Sequence, residues 1–220
     1  MTLAASIGPL EQMQQLLQRI YELSFDWRVG DFLLTDPVLA AALDAGGRVT
    51  EEKLLVHEAD GEILVSLYLD HELLARLAPL EALDEQTLAD FVVALEGVSH
   101  LLYLGWNAAW NRPVSRLEME IQAEVDKFVS AAFLLADDRR RLPDGLHARL
   151  FERVQYAAEL NTEEHGRYRR ANRCAADYCL GLARCFLRGG RPGLLQELRR
   201  FYRLTAHPKL RHMEQVAASA

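Results

Sequence analysis

The chain has 220 residues, half of them hydrophobic, and a formal net charge of −7. That length suffices for one domain with a substantial core, and the negative charge argues against a generic nucleic-acid binder. The charge is uneven: residues 1–136 contain 8 Lys or Arg and 22 Asp or Glu, whereas residues 137–220 contain 17 and 10. We expect the two parts to pair with each other, and an open anion-binding face on the second part is the alternative.

The cysteines and the apolar segments bear on the compartment. Cys174, Cys179 and Cys185 fall in one predicted helix at spacings that do not bring their sulfur atoms together. Their odd number argues against a disulfide framework, so we expect reduced thiols and a cytoplasmic location. The first residues, MTLAASIGPLEQ, lack the pattern of a signal peptide. The longest uncharged apolar stretch, about 14 residues, contains His100 and Asn107, which argues against a membrane span.

The first third of the chain predicts two helices followed by a β-hairpin. Leu10, Met13, Leu17 and Ile20 recur at helical spacing, and Asp36-Pro37 is typical of a helix start. The period then changes to two in KLLVHEADGEILVSLYLD. Asp-Gly at positions 60–61 favours a tight hairpin turn, which would place His57 opposite Leu64.

The two faces of this hairpin predict association. One face is apolar and the other is mixed, and a hairpin alone is only marginally stable in water. The mixed face is covered either by another helix of the chain or by a second subunit. We favour the second subunit and therefore expect a homodimer. The apolar face carries Leu54, Val56, Ile63, Val65, Leu67 and Leu69, and the mixed face carries Leu55, His57, Leu64, Ser66 and Tyr68.

Beyond the hairpin every segment favours helix, with predicted boundaries at 84–111, 115–136, 144–160, 162–189 and 192–204. Ser115 and Glu118 have the spacing of a capping box at the second of these helices. The predicted fold is a mainly α helical bundle of about six to eight helices with one inserted β-hairpin. Residues 1–80 form a helix-plus-hairpin subregion and residues 81–210 the bundle core, within one compact domain. Nucleotide-binding and hydrolase motifs are absent from the sequence.

A polar stripe on the 84–111 helix nominates a site. Glu96, His100, Tyr103 and Asn107 follow one another at spacings of four, three and four, on a helix that is otherwise apolar nearly all round. Such a helix is usually buried, and burying an unpaired polar group costs about 1–3 kcal/mol. We expect His100 to be buried and to lie within hydrogen-bond reach of Glu96 or of a carboxylate on the antiparallel 115–136 helix.

Three interpretations of this stripe are open. The preferred one is a structural polar network that fixes the register of the helices. The second is an iron, manganese or zinc site, with Glu96, His100, Glu120 and Glu124 as candidate ligands. The third is acid–base catalysis by Glu96, His100 and Glu124. The Glu-x-x-x-His spacing differs from the Glu-x-x-His spacing of di-iron bundles.

Two further sets lie on the 162–189 helix. Tyr168 and Asn172 are expected to join Tyr103 and Asn107 in a polar core. Arg167, Arg170 and Arg173 form either a solvated face or an anion-binding stripe. The function expected from the sequence is a cytosolic interaction or regulatory module that binds a protein partner or itself, without membrane and with nucleic acid disfavoured. A helical-bundle enzyme or metal-binding protein with a buried Glu/His cluster is the alternative.

Overall fold

A computed structural model describes residues 7–44, 46–47, 50–59, 62–137, 141–154 and 161–218, and the side chains of these residues except 185–191. The fold is mainly α, a helical bundle with a small sheet, as the sequence predicts. The elements in chain order are α1 (Pro9–Tyr21), β1 (Leu33–Leu34), α2 (Pro37–Leu43), β2 (Glu52–Ala59), β3 (Glu62–Leu69), α3 (His71–Arg76), α4 (Leu88–Ala109), α5 (Arg116–Leu135), α6 (Leu146–Phe151), α7 (Thr162–Tyr202) and α8 (Ala206–Ala218).

The bundle is built around the antiparallel pair α4 and α5. The predicted capping box forms: Ser115 accepts a hydrogen bond from the Glu118 backbone N–H, and the Glu118 carboxylate accepts one from the Ser115 N–H. By length and composition α4 could cross a membrane, but 61% of its most apolar window is buried against the rest of the protein. That degree of burial is typical of a core helix.

α5 is buried on two opposite sides. This burial explains why its sequence RLEMEIQAEVDK alternates between apolar and polar residues, as a β-strand does. At 100° per residue, residues two apart lie on nearly opposite sides of a helix. The alternate polar residues of this stretch therefore fall into two stripes. One stripe contains Gln122 and Asp126, and the other contains Glu120 and Glu124; all four are buried. The helix therefore carries one buried polar cluster on each side.

The hairpin belongs to a three-stranded sheet of order β1-β3-β2. His57 lies opposite Leu64, as predicted, although the turn at residues 60–61 lies outside the described residues. β1 was not predicted: its two residues pair in parallel with β3, Leu33 beside Leu67. Two residues are too short to give a periodic signal.

Part of the mixed face of the sheet is covered by a helix of the same chain, the alternative to the second subunit that we favoured. Leu55 and Tyr68 are buried against Ala40 of α2, so a helix of the same chain covers this face near its base. α2 was overlooked as a cover because its seven residues carry only one buried side chain, Ala40. The distal part of the sheet remains exposed, including Leu64.

The C-terminal helices also differ from expectation. α7 runs without interruption through Pro192, where the sequence predicts a break at Gly189-Gly190. Leu182, Leu194 and Leu198 are buried on both sides of that point, so tertiary contacts override local preference. α6 ends at Phe151 and residues 155–160 are not described, whereas 144–160 was predicted as one helix; α8 was not predicted.

The oppositely charged parts of the chain contact each other as expected. Arginines from the second part pair with carboxylates from the first: Arg149 with Glu85, and Arg199 with Glu22. Cys174 and Cys179 are free thiols, in agreement with the expected absence of a bridge between them; the side chain of Cys185 lies outside the described residues.

Candidate metal centre

His100 lies between carboxylates from two different elements. Its side chain is 8% exposed, which confirms the predicted burial. The Nδ1 atom is 3.6 Å from Glu52 Oε1 at the start of β2, and the Nε2 atom is 3.6 Å from Glu120 Oε2 on α5. Both distances exceed a normal hydrogen bond. A carboxylate of α5 thus lies beside His100 as expected, but just outside hydrogen-bond reach. Glu52 was not predicted.

Two cations complete the cluster. Lys127 Nζ donates to Glu96 Oε2 and to Glu124 Oε1, each at 2.9 Å. Arg167 Nε lies 3.4 Å from Glu120 Oε1. The sequence offered a hydrogen bond between Glu96 and His100 as one possibility, but Glu96 bonds Lys127 instead. The Lys127 ammonium group is stabilised by charge-assisted hydrogen bonds to two carboxylates. Lys127, rather than His100, is therefore the partner of Glu96.

Three potential ligand atoms converge. One side-chain atom each of Glu96, His100 and Glu120 lie within 4.8 Å of one another. In tetrahedral coordination, ligands bound at 2.0–2.2 Å to one zinc ion lie roughly 3.3–3.6 Å apart. Movements of up to about 1 Å would therefore let the three atoms bind one ion. Glu124, the fourth predicted ligand, lies at the side of the cluster and is held by Lys127.

Two buried atoms of the cluster lack a hydrogen-bond partner among the described residues: His100 Nε2 and Glu52 Oε1. An unsatisfied buried polar atom costs about 1–3 kcal/mol and requires an explanation. Each lies just beyond hydrogen-bond distance from a possible partner: His100 Nε2 is 3.6 Å from Glu120 Oε2, and Glu52 Oε1 is 3.6 Å from His100 Nδ1. Both atoms are good metal ligands or proton acceptors.

The pKa values show how the cluster holds its charge. Burial disfavours the charged imidazole, but the carboxylates of Glu120 and Glu52 outweigh burial and hold the pKa of His100 well above its usual range. Burial raises the pKa of both Glu52 and Glu124, with only partial compensation from nearby cations. Burial also opposes ionisation of Glu96, but Lys127 reverses the effect and lowers its pKa.

Three residues of the predicted polar core, Asn107, Tyr168 and Asn172, have different surroundings. Asn107 is buried and donates to the Tyr103 carbonyl oxygen one turn back, so it closes on its own helix. Tyr168 is half-buried, and burial followed by the charge of Glu120 raises its pKa. Asn172 is buried, and its side-chain nitrogen has no partner among the described residues.

The predicted arginine stripe is divided. Arg167 is turned inward, with only 14% of its side chain exposed, and belongs to the glutamate cluster. Arg170 and Arg173 are exposed. Only one side of this helix is buried. A spacing of three residues does not show which of the arginines lies on that side. The three residues therefore do not form one anion-binding face.

A second buried cluster, which was not predicted from the sequence, occupies the opposite side of α5. Asp126 is its centre: it accepts hydrogen bonds from Tyr21, from Ser99 at 2.6 Å and from Gln122 at 2.8 Å. Burial raises the pKa of Asp126 to about 6. The one sequence signal for this cluster was the row of polar residues at alternate positions of α5.

Lys209 of α8 joins this second cluster. Its Nζ atom donates to Gln122 Oε1 at 2.7 Å and to Tyr103 OH at 3.0 Å, and the residue is fully buried. Burial lowers the pKa of Lys209 to about 7. Tyr103, which the sequence assigned to the Glu96 stripe, therefore faces the second cluster.

Comparisons with protein-family models, with curated protein sequences and with solved structures found no match for this chain.

Proposed function

We propose that this protein binds one divalent cation of the first transition series, with Glu96, His100 and Glu120 as its ligands. The observation that carries the proposal is the buried imidazole of His100, which converges within 4.8 Å with one carboxylate oxygen each of Glu96 and Glu120 and whose Nε2 atom has no hydrogen-bond partner among the described residues. A histidine nitrogen with carboxylate oxygens suits Mn(II), Fe(II) or Zn(II). Mg(II) and Ca(II) prefer oxygen ligands alone.

The charge of the cluster supports the same conclusion. Within the described part of the chain, four glutamates, at positions 52, 96, 120 and 124, pair with two permanent cations, Lys127 and Arg167, and with His100. With a neutral His100, the cluster carries an excess of two negative charges. All these side chains are less than a quarter exposed, so solvent screens this excess poorly.

A divalent cation would cancel that excess. Without a cation, the cluster reduces its negative charge by binding protons. The raised pKa values of His100, Glu52 and Glu124 reflect this tighter proton binding. Metal binding would then displace protons, because a ligand must be deprotonated before it can coordinate. The buried glutamates also provide ligands from α4 and α5, two rigid elements, which fixes the geometry of the site.

The test is calorimetric titration of metal-free protein with Zn(II) and with Mn(II). We expect one ion per chain, and we expect His100→Gln to weaken binding at least 100-fold. His57→Gln is the matched control because His57 is an exposed histidine on β2, and it should leave the affinity unchanged. Equal affinities of the two variants, or no stoichiometric binding by the wild type, would refute the proposal. Circular dichroism of each variant establishes that it is folded.

A further inference from the structure

The two nitrogen atoms of His100 face chemically different surroundings. Nε2 lies 3.6 Å from Glu120 Oε2, and Glu120 converges with Glu96 on the imidazole. Nδ1 lies 3.6 Å from Glu52, whose Oε1 atom is buried and has no hydrogen-bond partner among the described residues. Glu52 is not one of the three converging residues. It therefore lies behind the imidazole, on the side away from the proposed ion.

Metal-binding histidines almost always donate their second N–H to a carboxylate, a carbonyl group or water. This contact fixes which nitrogen carries the proton and makes the other nitrogen a stronger ligand. We infer that Glu52 performs this role: it holds the proton on Nδ1 of His100, so that the Nε2 lone pair faces the ion. The inference rests on the proposed function and assigns Glu52 as a positioning residue, not a ligand.

Gly97 makes the approach of Glu52 possible. A Cβ atom at position 97 would lie 2.8 Å from Glu52 Cγ, 2.9 Å from Glu52 Oε1 and 2.7 Å from Leu67 Cδ1. Each of these distances is shorter than any normal carbon contact. Gly97 precedes His100 by three residues, on the neighbouring part of the same helix surface. The absence of a side chain there lets β2 place a carboxylate directly beside the imidazole.

The inserted sheet thereby has a defined part in the site. α4 and α5 supply the proposed ligands, and β2 supplies the group that orients one of them. Binding of the ion and placement of Glu52 are thermodynamically linked, so each must favour the other.

The first test compares Glu52→Gln with Glu58→Gln, a control that neutralises an exposed carboxylate of the same strand. We expect Glu52→Gln to weaken Zn(II) binding 10- to 100-fold, the usual range for loss of such an orienting group. Glu58→Gln should bind as the wild type does. Because Gln is nearly isosteric with Glu, the Glu52 variant should fold.

The second readout needs no metal. Nitrogen-15 NMR of metal-free protein, at a pH above the pKa of His100, reports which ring nitrogen carries the proton. The His100 signal is identified by its loss in His100→Gln. We expect the proton on Nδ1 in the wild type and on Nε2, or on both in exchange, in Glu52→Gln. A role of Glu52 limited to filling space would leave this distribution unchanged.

A third comparison tests Gly97. Gly97→Ala should weaken Zn(II) binding and shift the His100 proton as Glu52→Gln does. Gly105→Ala is the control: it adds the same methyl group to α4 against Trp27, with a nearest approach of 3.0 Å, and away from Glu52. If Gly97→Ala does not fold, Glu52→Gln decides alone.

The outcomes separate the two claims. If the wild type binds one ion and Glu52→Gln binds equally well with an unchanged His100 proton, only the inference about Glu52 is wrong. If the wild type binds no ion, the proposed function fails, and the orienting role toward an ion fails with it. Weaker binding by Glu52→Gln together with a shifted proton supports the inference.

Discussion

Lys127 joins α5 to α4 through Glu96: its Nζ atom lies 2.9 Å from Glu96 Oε2, and both side chains are largely buried. The same ammonium also lies 2.9 Å from Glu124 Oε1. One cation thus holds two of the four glutamates of the cluster, and His100 is left to the other two. Of these two, Glu120 lies 3.6 Å from His100 Nε2, which has no hydrogen-bond partner among the described residues.

Removing Lys127 should destabilise the metal-free protein. Lys127→Met leaves Glu96 and Glu124 buried without their cation, and breaking a buried ion pair costs about 3–5 kcal/mol. We expect a loss of that order in the free energy of unfolding at pH 7, measured by urea denaturation. The loss should shrink at pH 5, because protonation of the two carboxyl groups then replaces the missing charge. Lys53→Met is the control: it breaks the ion pair of Lys53 with Asp44 at the edge of the sheet, where 30% of the lysine side chain is exposed, and should cost about 1 kcal/mol or less.

Metal affinity should rise with pH. Because the pKa of His100 is held well above its usual range, an incoming ion must displace a proton at neutral pH. We expect the association constant for Zn(II) to increase between pH 6 and the pKa of His100, and to become constant above it. Titration calorimetry in two buffers of different ionisation enthalpy measures the released protons directly. An affinity independent of pH over this range would contradict the protonated state assigned to the metal-free cluster.

Lys209 should give the folded state a distinct pH dependence. Its folded pKa of about 7 lies below the ordinary value of 10.5, so the unfolded state binds more protons between these values. The destabilising contribution of Lys209 is therefore fully present below pH 7 and diminishes as the pH rises toward 10.5. We expect the stability of the wild type, relative to Lys209→Met, to increase from pH 7 to pH 9.5 in urea denaturation. A flat difference would show that Lys209 stays charged in the folded protein.

The two ends of the sheet should respond differently to truncation. Tyr68 is 1% exposed and contacts α2, whereas Leu64 is 62% exposed. Tyr68→Ala should lower the free energy of unfolding by about 3 kcal/mol, the lower end of the range for a buried aromatic residue. Leu64→Ala should change it by less than about 0.5 kcal/mol. Equal losses from the two variants would contradict the position of α2 on the sheet.

Self-association through the sheet stays a prediction, as do a protein partner and a cytoplasmic location. The covered base of the mixed face removes Tyr68 from any such contact and leaves exposed residues such as Leu64. Sedimentation equilibrium of the wild type and of Leu64→Lys measures the effect. A homodimer formed there should dissociate in the variant, and a monomeric wild type at high micromolar concentration would contradict it.

Local signals predicted most of the secondary structure and part of the cluster. The capping box at Ser115 and the hairpin register depend on neighbouring residues, and both are confirmed. The convergence of Glu96, His100 and Glu120 followed from helical spacing and from a short turn between two helices. These features need only two adjacent elements.

The missed features depend on contacts between distant segments. Glu52 reaches His100 because Gly97 lets the sheet approach α4, and no spacing in the sequence reports that approach. Lys209 lies 87 residues from its acceptor Gln122. The continuity of α7 through Pro192 depends on leucines buried on both sides of it. In each case the tertiary partner, rather than the local sequence, decides the outcome.

The most direct test of the central claim is anomalous diffraction from crystals of the metal-free protein soaked in Mn(II). The proposed function predicts one strong anomalous peak bound by His100 Nε2 and by the carboxylates of Glu96 and Glu120. Glu52 should remain beside Nδ1, outside the coordination sphere. A cluster without an anomalous peak, with His100 still between Glu52 and Glu120, would contradict it and return these residues to a purely structural role.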